Sequence, residues 1–453
     1  MQQSDLHDEL LHAESLLQEL EANLDQGLVP QRLMNDRGIY QLELERLFAR
    51  AWVFVGHESE IPSPGDYVLR YIGEDPFIFT RDEEGHPRVL FNSCRHRGTL
   101  ICRSEKGNTS HFRCPYHGWT YRNNGDLIGV PYKNEGYKNL KLSEWGLHSA
   151  THVRIYEGLV FASLDPDPVP FDQYIGDYRW YLDANFKLLG GVEVIGEPHR
   201  WVVENADWKV AALNFAGDAY HITVTHRSAI ESRLAFPNAG FTHSPSTTQI
   251  AECSGHSIGI VMWDETLTEQ YFWGLPQDIT EKFNKNAVSK DQYEMARRSI
   301  VNVGTLFPNL SFIHAGEHTD SPDKPTSSFF SLRQWQPRGP GRMEIWSWML
   351  GPKGASKEQK ERFYKVGTSA FSPAGNFEQD DIAVWNGIST TAGTVFADKI
   401  HNNLNYQMGL EWMSGRRPRS NWPGPGIAYT SDLEEGTQRT FWRHYLKMMT
   451  KKE

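Results

Sequence analysis

Two short segments of this chain carry donors for soft-metal chemistry: Cys94-x-His96 and Cys114-x-x-His117, with 17 residues between them, in the strings CRHRG and CPYHGW. Each segment offers one thiolate and one imidazole. A zinc finger keeps like ligands together, as Cys-x-x-Cys and His-x-His pairs. Mixing both types in each loop suits a [2Fe–2S] centre of the Rieske kind, with two Cys on one iron and two His on the other. Neutral imidazoles in place of thiolates raise the reduction potential, so such a centre accepts single electrons and hands them on. Something else in the chain must consume them.

A second set of donors lies in NADWKVAALNFAGDAYHITVTH, residues 205–226, which holds His221 and His226, with Asp218 three residues before the first. On an ideal helix, residues five apart point about 140° away from each other. Both imidazoles reach one metal only where the helix distorts or ends between them, and the β-branched run from Ile222 to Thr225 favours such a break. Two histidines and one carboxylate make the facial triad of non-haem Fe(II) oxygenases, with open positions left for O2. The carboxylate must come from elsewhere. The segment SPAGNFEQDDIAVW offers Glu378, Asp380 and Asp381 on equal terms.

The elements that must position these donors change character along the chain. In an N-terminal helical segment, 1–44, Leu6, Leu10, Ala13, Leu17, Leu20 and Leu24 recur at helical spacing between Ser4 and the Gly27/Pro30 stop. Over 45–165, short β-type runs (DYVLRYI, PFIFTRD, RVLFNS, HFRCPY, GWTYRNN, VRIYEGLVFASL) alternate with turn signals. This predicts a small all-β module with both Cys/His segments at hairpin tips, followed by a Pro-rich linker, DPDPVPFD. Residues 166–453 mix strands (SIGIVMWD, SSFFSLRQW, MEIWSWML) with helices (SKDQYEMARRSIV, SKEQKERFYKVGTSAF, TQRTFWRHYLKMM). The class expected is α+β, with an antiparallel sheet covered by helices.

With 453 residues, 39% hydrophobic and 23% charged, the chain is an ordinary globular protein of two or three domains. Its formal net charge of −11 argues against nucleic-acid binding. No apolar run reaches the roughly 18 residues of a membrane span, and no secretory signal is present. Of the cysteines Cys94, Cys102, Cys114 and Cys253, two belong to the metal segments, so a reducing cytoplasm is expected and no disulfide framework. No Gly-x-Gly-x-x-Gly follows a strand, which leaves NADH and flavin to partner proteins. Between Cys94 and Arg122, six cations (Arg95, Arg97, Arg103, Lys106, Arg113, Arg122) face one acid, Glu105, a net +5. Such a patch suits steering of an acidic ferredoxin; the plainer alternative is that the arginines satisfy loop carbonyls.

ARAWVFVGHESEIPSPGDYV, NSCRHRG with CPYHGWTY, NFAGDAYHITVTH, TLFPNLSF and FSPAGNFEQDD follow one another over nearly the whole chain. Together they resemble the large (α) subunits of Rieske non-haem iron ring-hydroxylating dioxygenases, most of all the naphthalene and polycyclic-aromatic branch. The resemblance implies a [2Fe–2S] cluster on Cys94, His96, Cys114 and His117, and a mononuclear Fe(II) on His221, His226 and Asp381, with Asp380 in support. It implies that Asp218 bridges His117 of one chain to His221 of the next, and that Asn214, Phe215, Ala219, Ile222, Val303, Ile313, Phe371 and Phe377 line the substrate cavity. Core packing is the alternative for each of these eight.

Leu213 stands where many relatives carry an acid, and Val303 replaces a polar residue of the naphthalene-type pocket; both favour a hydrocarbon substrate. No Arg or Lys between Lys209 and Arg227 is available to clamp a carboxylate. The reaction implied is cis-dihydroxylation of an aromatic hydrocarbon by O2, to a cis-dihydrodiol, with NADH electrons delivered by a reductase and a ferredoxin. The assembly implied is an α3β3 hexamer with a small β subunit, or α3 alone, since the two metal sites of one chain are expected to lie too far apart. A Rieske monooxygenase acting on salicylate, an amine or a heterocycle is the alternative. A bare electron carrier is disfavoured by the presence of His221, His226 and Asp381 together.

Overall fold

The computed structural model describes residues 3–232, 234, 247–252, 254–263, 271–316, 327–410, 421–429 and 433–451; Cys253 lies outside them. The chain forms two compact units, Phe48–Phe171 and Met1–Leu47 with Asp172–Glu453. Residues 1–44, expected as a segment of their own, thus belong with the C-terminal part, and the expected division at 165/166 falls at 171/172. The cause is a buried polar network between residues distant in sequence. Glu43 accepts from Lys209 Nζ at 2.6 Å, from Trp208 Nε1 at 2.9 Å and from the Tyr445 hydroxyl at 2.6 Å, while Asp207 meets Lys209 at 2.7 Å. Burial pulls the Lys209 ammonium toward neutrality, but the Asp207 and Glu43 carboxylates outweigh it and hold it charged. The first helix, α1 (Gln3–Asn23), buries Ala13, Leu17 and Leu20, and the chain turns at Gly27 with φ +71°.

Phe48–Phe171 is all-β apart from short turns, built from three small antiparallel sheets. The two Cys/His segments occupy loops of one design. The Cys94 amide donates to the Thr99 carbonyl at 2.9 Å, and Gly98 returns a bond to the Cys94 carbonyl at 2.8 Å. In the second loop the Cys114 amide donates to Trp119 at 2.7 Å and Gly118 to Cys114 at 3.0 Å. Gly98 and Gly118 adopt φ +75° and +71°, a region costly for any residue with a Cβ. Beneath both loops pack Leu90, Ile101, Phe112, Trp119, Tyr121 and Leu127.

The larger unit is organised by an eight-stranded antiparallel sheet. Its strands are β1 (Val192–Val203), β2 (Thr247–Ala251), β3 (Ser257–Met262), β4 (Ser299–Leu306), β5 (Leu310–Ala315), β6 (Phe329–Pro337), β7 (Met343–Pro352) and β8 (Ile427–Tyr429), in the order β1-β7-β6-β5-β4-β3-β2-β8. The helix read over SKDQYEMARRSIV stops at Arg298, and Ser299–Val301 open β4. The β-branched Val301 pairs with Val261 on one side and Ala315 on the other, and the Ile300 carbonyl accepts the Gly316 amide at 3.0 Å, which outweighs the helical pattern before it. Among the helices of the unit are α2 (Trp208–Asn214), α3 (Lys357–Ala370), α4 (Asn376–Ala392) and α5 (Gly436–Thr450). Asp207 caps α2, and a Ser356/Gln359 capping box starts α3.

Candidate metal centres and cavity

In the smaller unit, Cys94 and Cys114 are buried free thiols, and burial pushes the Cys114 thiol up. The Nδ1 atoms of His96 and His117 are buried without a hydrogen-bond partner, a costly state for a ring nitrogen unless something else engages it. The two imidazoles stand 4.6 Å apart between centroids, tilted by 71°, and Trp119 stacks flat on His96 at 5.1 Å. Two buried thiols beside two orphaned imidazole nitrogens fit a Rieske cluster, which takes this donor set and no further ligand.

In the larger unit, α2 ends at Asn214 and the chain turns through Gly217 (φ +109°) to His221. A single short helical turn, Ile222–Thr225, separates His221 from His226, whose backbone leaves helical geometry at φ −96°, ψ 26°. That break brings the two imidazoles together. Their Nε2 atoms lie 3.2 Å apart, and Asp381 Oδ1 on α4 is 3.6 Å from the first and 3.4 Å from the second. Donors about 2.1 Å from one ion stand about 3–3.5 Å from each other, so these three atoms fit a single metal.

The remaining ring nitrogens are directed away from that point. His221 Nδ1 donates to the Asp218 carbonyl at 2.5 Å and lies 3.7 Å from the Asp218 carboxylate. His226 Nδ1 faces Asp380 Oδ2 at 3.4 Å. Each contact places the proton on Nδ1 and leaves the Nε2 lone pair for a metal. The electrostatics point the same way. Burial raises the Asp381 carboxyl to about 7, with Glu378 adding to the rise and His221 and Arg333 opposing it. Burial opposes protonation of His221, but Asp218 and Asp381 drive it up to about 9, while burial and His221 push His226 down to about 3. A dication resolves this conflict, because it favours two neutral imidazoles and an ionised carboxylate.

The three acids that stand level in the sequence separate on the helix. Asp380 and Asp381 project about 100° apart around α4, so Asp381 faces both imidazole Nε2 atoms while Asp380 meets His226 Nδ1 and Ser228. Glu378 turns to a buried ion pair with Arg333.

All eight residues expected at the cavity line one hollow that reaches His221, His226 and Asp381: Asn214, Phe215, Ala219, Ile222, Val303, Ile313, Phe371 and Phe377. Its floor is the sheet. One cross-strand row runs Thr247–Val261–Val301–Ala315–Phe329, and a second runs Gly259–Val303–Ile313. Within each strand the members are two apart, hence on the same face. Sequence reading missed Gly217, Thr247, Gly259, Val261, Val301, Ala315 and Phe329. Counting two residues back from Val303 and two on from Ile313 finds Val301 and Ala315, once β4 and β5 are known as strands. Among the described residues no Lys or Arg lines the hollow. On the smaller unit, Arg95 is tied to the Gly146 carbonyl at 3.0 Å and covers Trp145, while Arg97, Arg103, Lys106, Arg113 and Arg122 are exposed. Among the described residues no helix is long and apolar enough to cross a membrane.

A model of the Rieske [2Fe–2S] domain matches residues 51–154, and one of the catalytic domain of ring-hydroxylating α subunits matches 171–451. The α subunit of the N,N-dimethyl phenylurea N-demethylase of Sphingobium sp. (strain YBL2) is 36% identical across 97% of this chain and 95% of its own. Benzene 1,2-dioxygenase subunit α of Pseudomonas putida is 33% identical across 95% and 94%. The crystal structure of naphthalene 1,2-dioxygenase from Rhodococcus sp. bound to indole matches with a TM-score of 0.89 and 41% identity, covering 97% of this chain and 98% of that one.

Proposed function

This chain belongs to the α subunits of the ring-hydroxylating oxygenases, and from that premise we propose that it is the terminal oxygenase subunit for cis-dihydroxylation of an aromatic hydrocarbon. The family's cofactors are a Rieske [2Fe–2S] cluster and a mononuclear iron. Cys94, His96, Cys114 and His117 would hold the first, and His221, His226 and Asp381 the second. When bound, the cluster supplies one-electron transfer and the iron supplies O2 activation.

The observation that carries the reading is the apolar hollow opening on the three donors of the mononuclear site. Its floor rows, Val, Ile, Ala and Phe with Thr247 and Gly259, hold a flat hydrocarbon by contact, and among the described lining residues no cation offers a substrate carboxylate an ion pair. Phe215, Phe371 and Phe377 wall the side next to His226, where the Phe377 ring lies 4.8 Å from the imidazole, and keep water from that face. The Asp218 carbonyl, accepting from His221 Nδ1, fixes the ring plane. Asp218 keeps about a third of its side chain exposed, as a bridge to a neighbouring subunit's His117 requires. NADH electrons arrive through a reductase and a ferredoxin, with the exposed cations beside the cluster loops as the docking site. A small β subunit completes the assembly.

Turnover under 18O2 with matched reductase and ferredoxin tests the reading, using benzene, naphthalene, biphenyl and a four-ring hydrocarbon. A cis-dihydrodiol carrying two labelled oxygens is expected; a phenol with one labelled atom overturns it. The N-demethylase relative favours a second reading, oxidation of an N-methyl group on an aryl urea or amine. That activity releases formaldehyde from N,N-dimethyl phenylurea in the same assay.

A further inference from the structure

Arg333 lies on the cavity face of β6, four residues beyond the floor residue Phe329, and it is fully buried. Its guanidinium is a three-way clamp. One terminal nitrogen pairs with Glu378 on α4. The other donates to the Phe371 carbonyl at 3.3 Å and to Ser347 Oγ on β7 at 3.2 Å, and Ser347 itself donates to Phe371 at 3.3 Å. Four rings close around the cation at 5.1–5.9 Å: Trp201, Phe215, Trp335 and Phe371.

Stability alone does not account for this group. A buried ion pair is typically replaceable by apolar side chains of similar volume with little loss. What an apolar pair cannot supply is the planar fork, which fixes three acceptors at set angles. Those acceptors sit on both sides of the site. Glu378 is three residues before Asp381 on α4, so the pair sets where that helix meets the sheet. Phe371 ends α3 and walls the hollow, its ring stacked on Phe377 at 5.6 Å. The same cation therefore ties the third donor and the cavity wall to one strand.

We infer that the Arg333–Glu378 pair is a positioning device for the mononuclear site, holding Asp381 in reach of both imidazoles. This rests on the assignment of His221, His226 and Asp381 as the iron's ligands. The test uses the full chain with its cluster intact, stripped of mononuclear iron with a chelator and titrated anaerobically with Fe(II) by calorimetry. The double variant Arg333→Met/Glu378→Leu is expected to keep its unfolding temperature and cluster absorbance while its Fe(II) dissociation constant rises about tenfold or more. Wild-type affinity in that variant overturns the proposal, because a merely structural pair leaves metal binding unmoved once folding is restored. Should the double variant fail to accumulate, Arg333→Lys decides. It keeps the charge without the fork, so about a tenfold loss of affinity supports positioning and wild-type affinity overturns it. Asp381→Ala is titrated alongside. Undiminished Fe(II) binding there removes the ligand assignment, and the proposal with it.

Discussion

The Tyr121 phenol lies 3.4 Å from Cys94 Sγ and accepts the Arg95 amide at 3.2 Å. With its lone pair engaged by that amide, the hydroxyl proton is left for the sulfur. Tyr121 is fully buried, so the contact is not shared with water. A hydrogen bond to a thiolate ligand favours the more negative, reduced cluster. Tyr121→Phe is therefore expected to lower the midpoint potential by about 40 mV, the equivalent of about 1 kcal/mol for one electron. Redox titration followed by EPR measures it; an unchanged potential removes the tyrosine from the tuning of the cluster.

Asp381→Ala separates the two centres. Iron per chain should fall by one while acid-labile sulfide and the cluster spectrum stay at wild-type level, and oxygenation should cease. An Asp380→Ala variant should bind iron more weakly, by about 10–100-fold, because it loses the group facing His226 Nδ1 rather than a ligand. Elemental analysis and Fe(II) titration distinguish the two.

Glu43→Leu leaves the Lys209 ammonium with Asp207 alone and strips the Trp208 and Tyr445 donors of their acceptor. A loss of about 3–5 kcal/mol is expected in urea unfolding followed by tryptophan fluorescence. The cluster spectrum should not change, since Glu43 belongs to the other unit. A loss below about 1 kcal/mol would contradict the network's part in holding the N-terminal segment.

His256 gives the larger unit an acid limit. Its Nε2 donates to the Tyr174 carbonyl at 2.8 Å and its Nδ1 accepts the Phe307 amide at 2.9 Å, so neither nitrogen has room for a second proton. Burial, reinforced by His444 and only partly offset by the Tyr174 carbonyl, holds its pKa down at about 3. The unfolded chain takes up a proton below about 6.5 that the native state refuses. Stability from this group is thus complete above about pH 6.5 and is lost toward pH 3, at up to about 1.4 kcal/mol per pH unit. His256→Gln should be less stable at pH 7.5 and show a shallower decline between pH 6.5 and 5 in urea midpoints; parallel profiles would refute this.

Gly259 sets the depth of the hollow. A Cβ there would stand 3.1 Å from Gly217 Cα and 3.5 Å from Val303 Cγ1. Gly259→Leu is expected to reduce kcat/KM for naphthalene relative to benzene by about 10–100-fold, since the added atoms occupy ring space. Equal losses for both substrates would show backbone damage instead.

The two Cys/His segments were legible in the sequence because their donors are local; a spacing of two or three residues is fixed by the loop that makes it. The choice among Glu378, Asp380 and Asp381 was not legible from residue types. It depends on azimuth around α4, and family resemblance rather than spacing pointed to Asp381. Val301 was hidden by a helical pattern that ran without a Gly or Pro stop into β4. Arg333 gave no signal because its partner lies 45 residues on, and Glu43 gave none because Lys209 lies 166 residues away.

The floor of the hollow and the metal donors belong to different kinds of element. Floor side chains stand on strands whose backbone bonds are made with neighbouring strands, so an exchange at Thr247, Val261, Val301, Val303 or Ile313 disturbs no main-chain bond. The donors stand on the broken helical segment and on α4. The mould and the tool are therefore separately held: a single side-chain exchange on the floor changes the shape offered to a substrate and leaves the backbone that carries the donors in place.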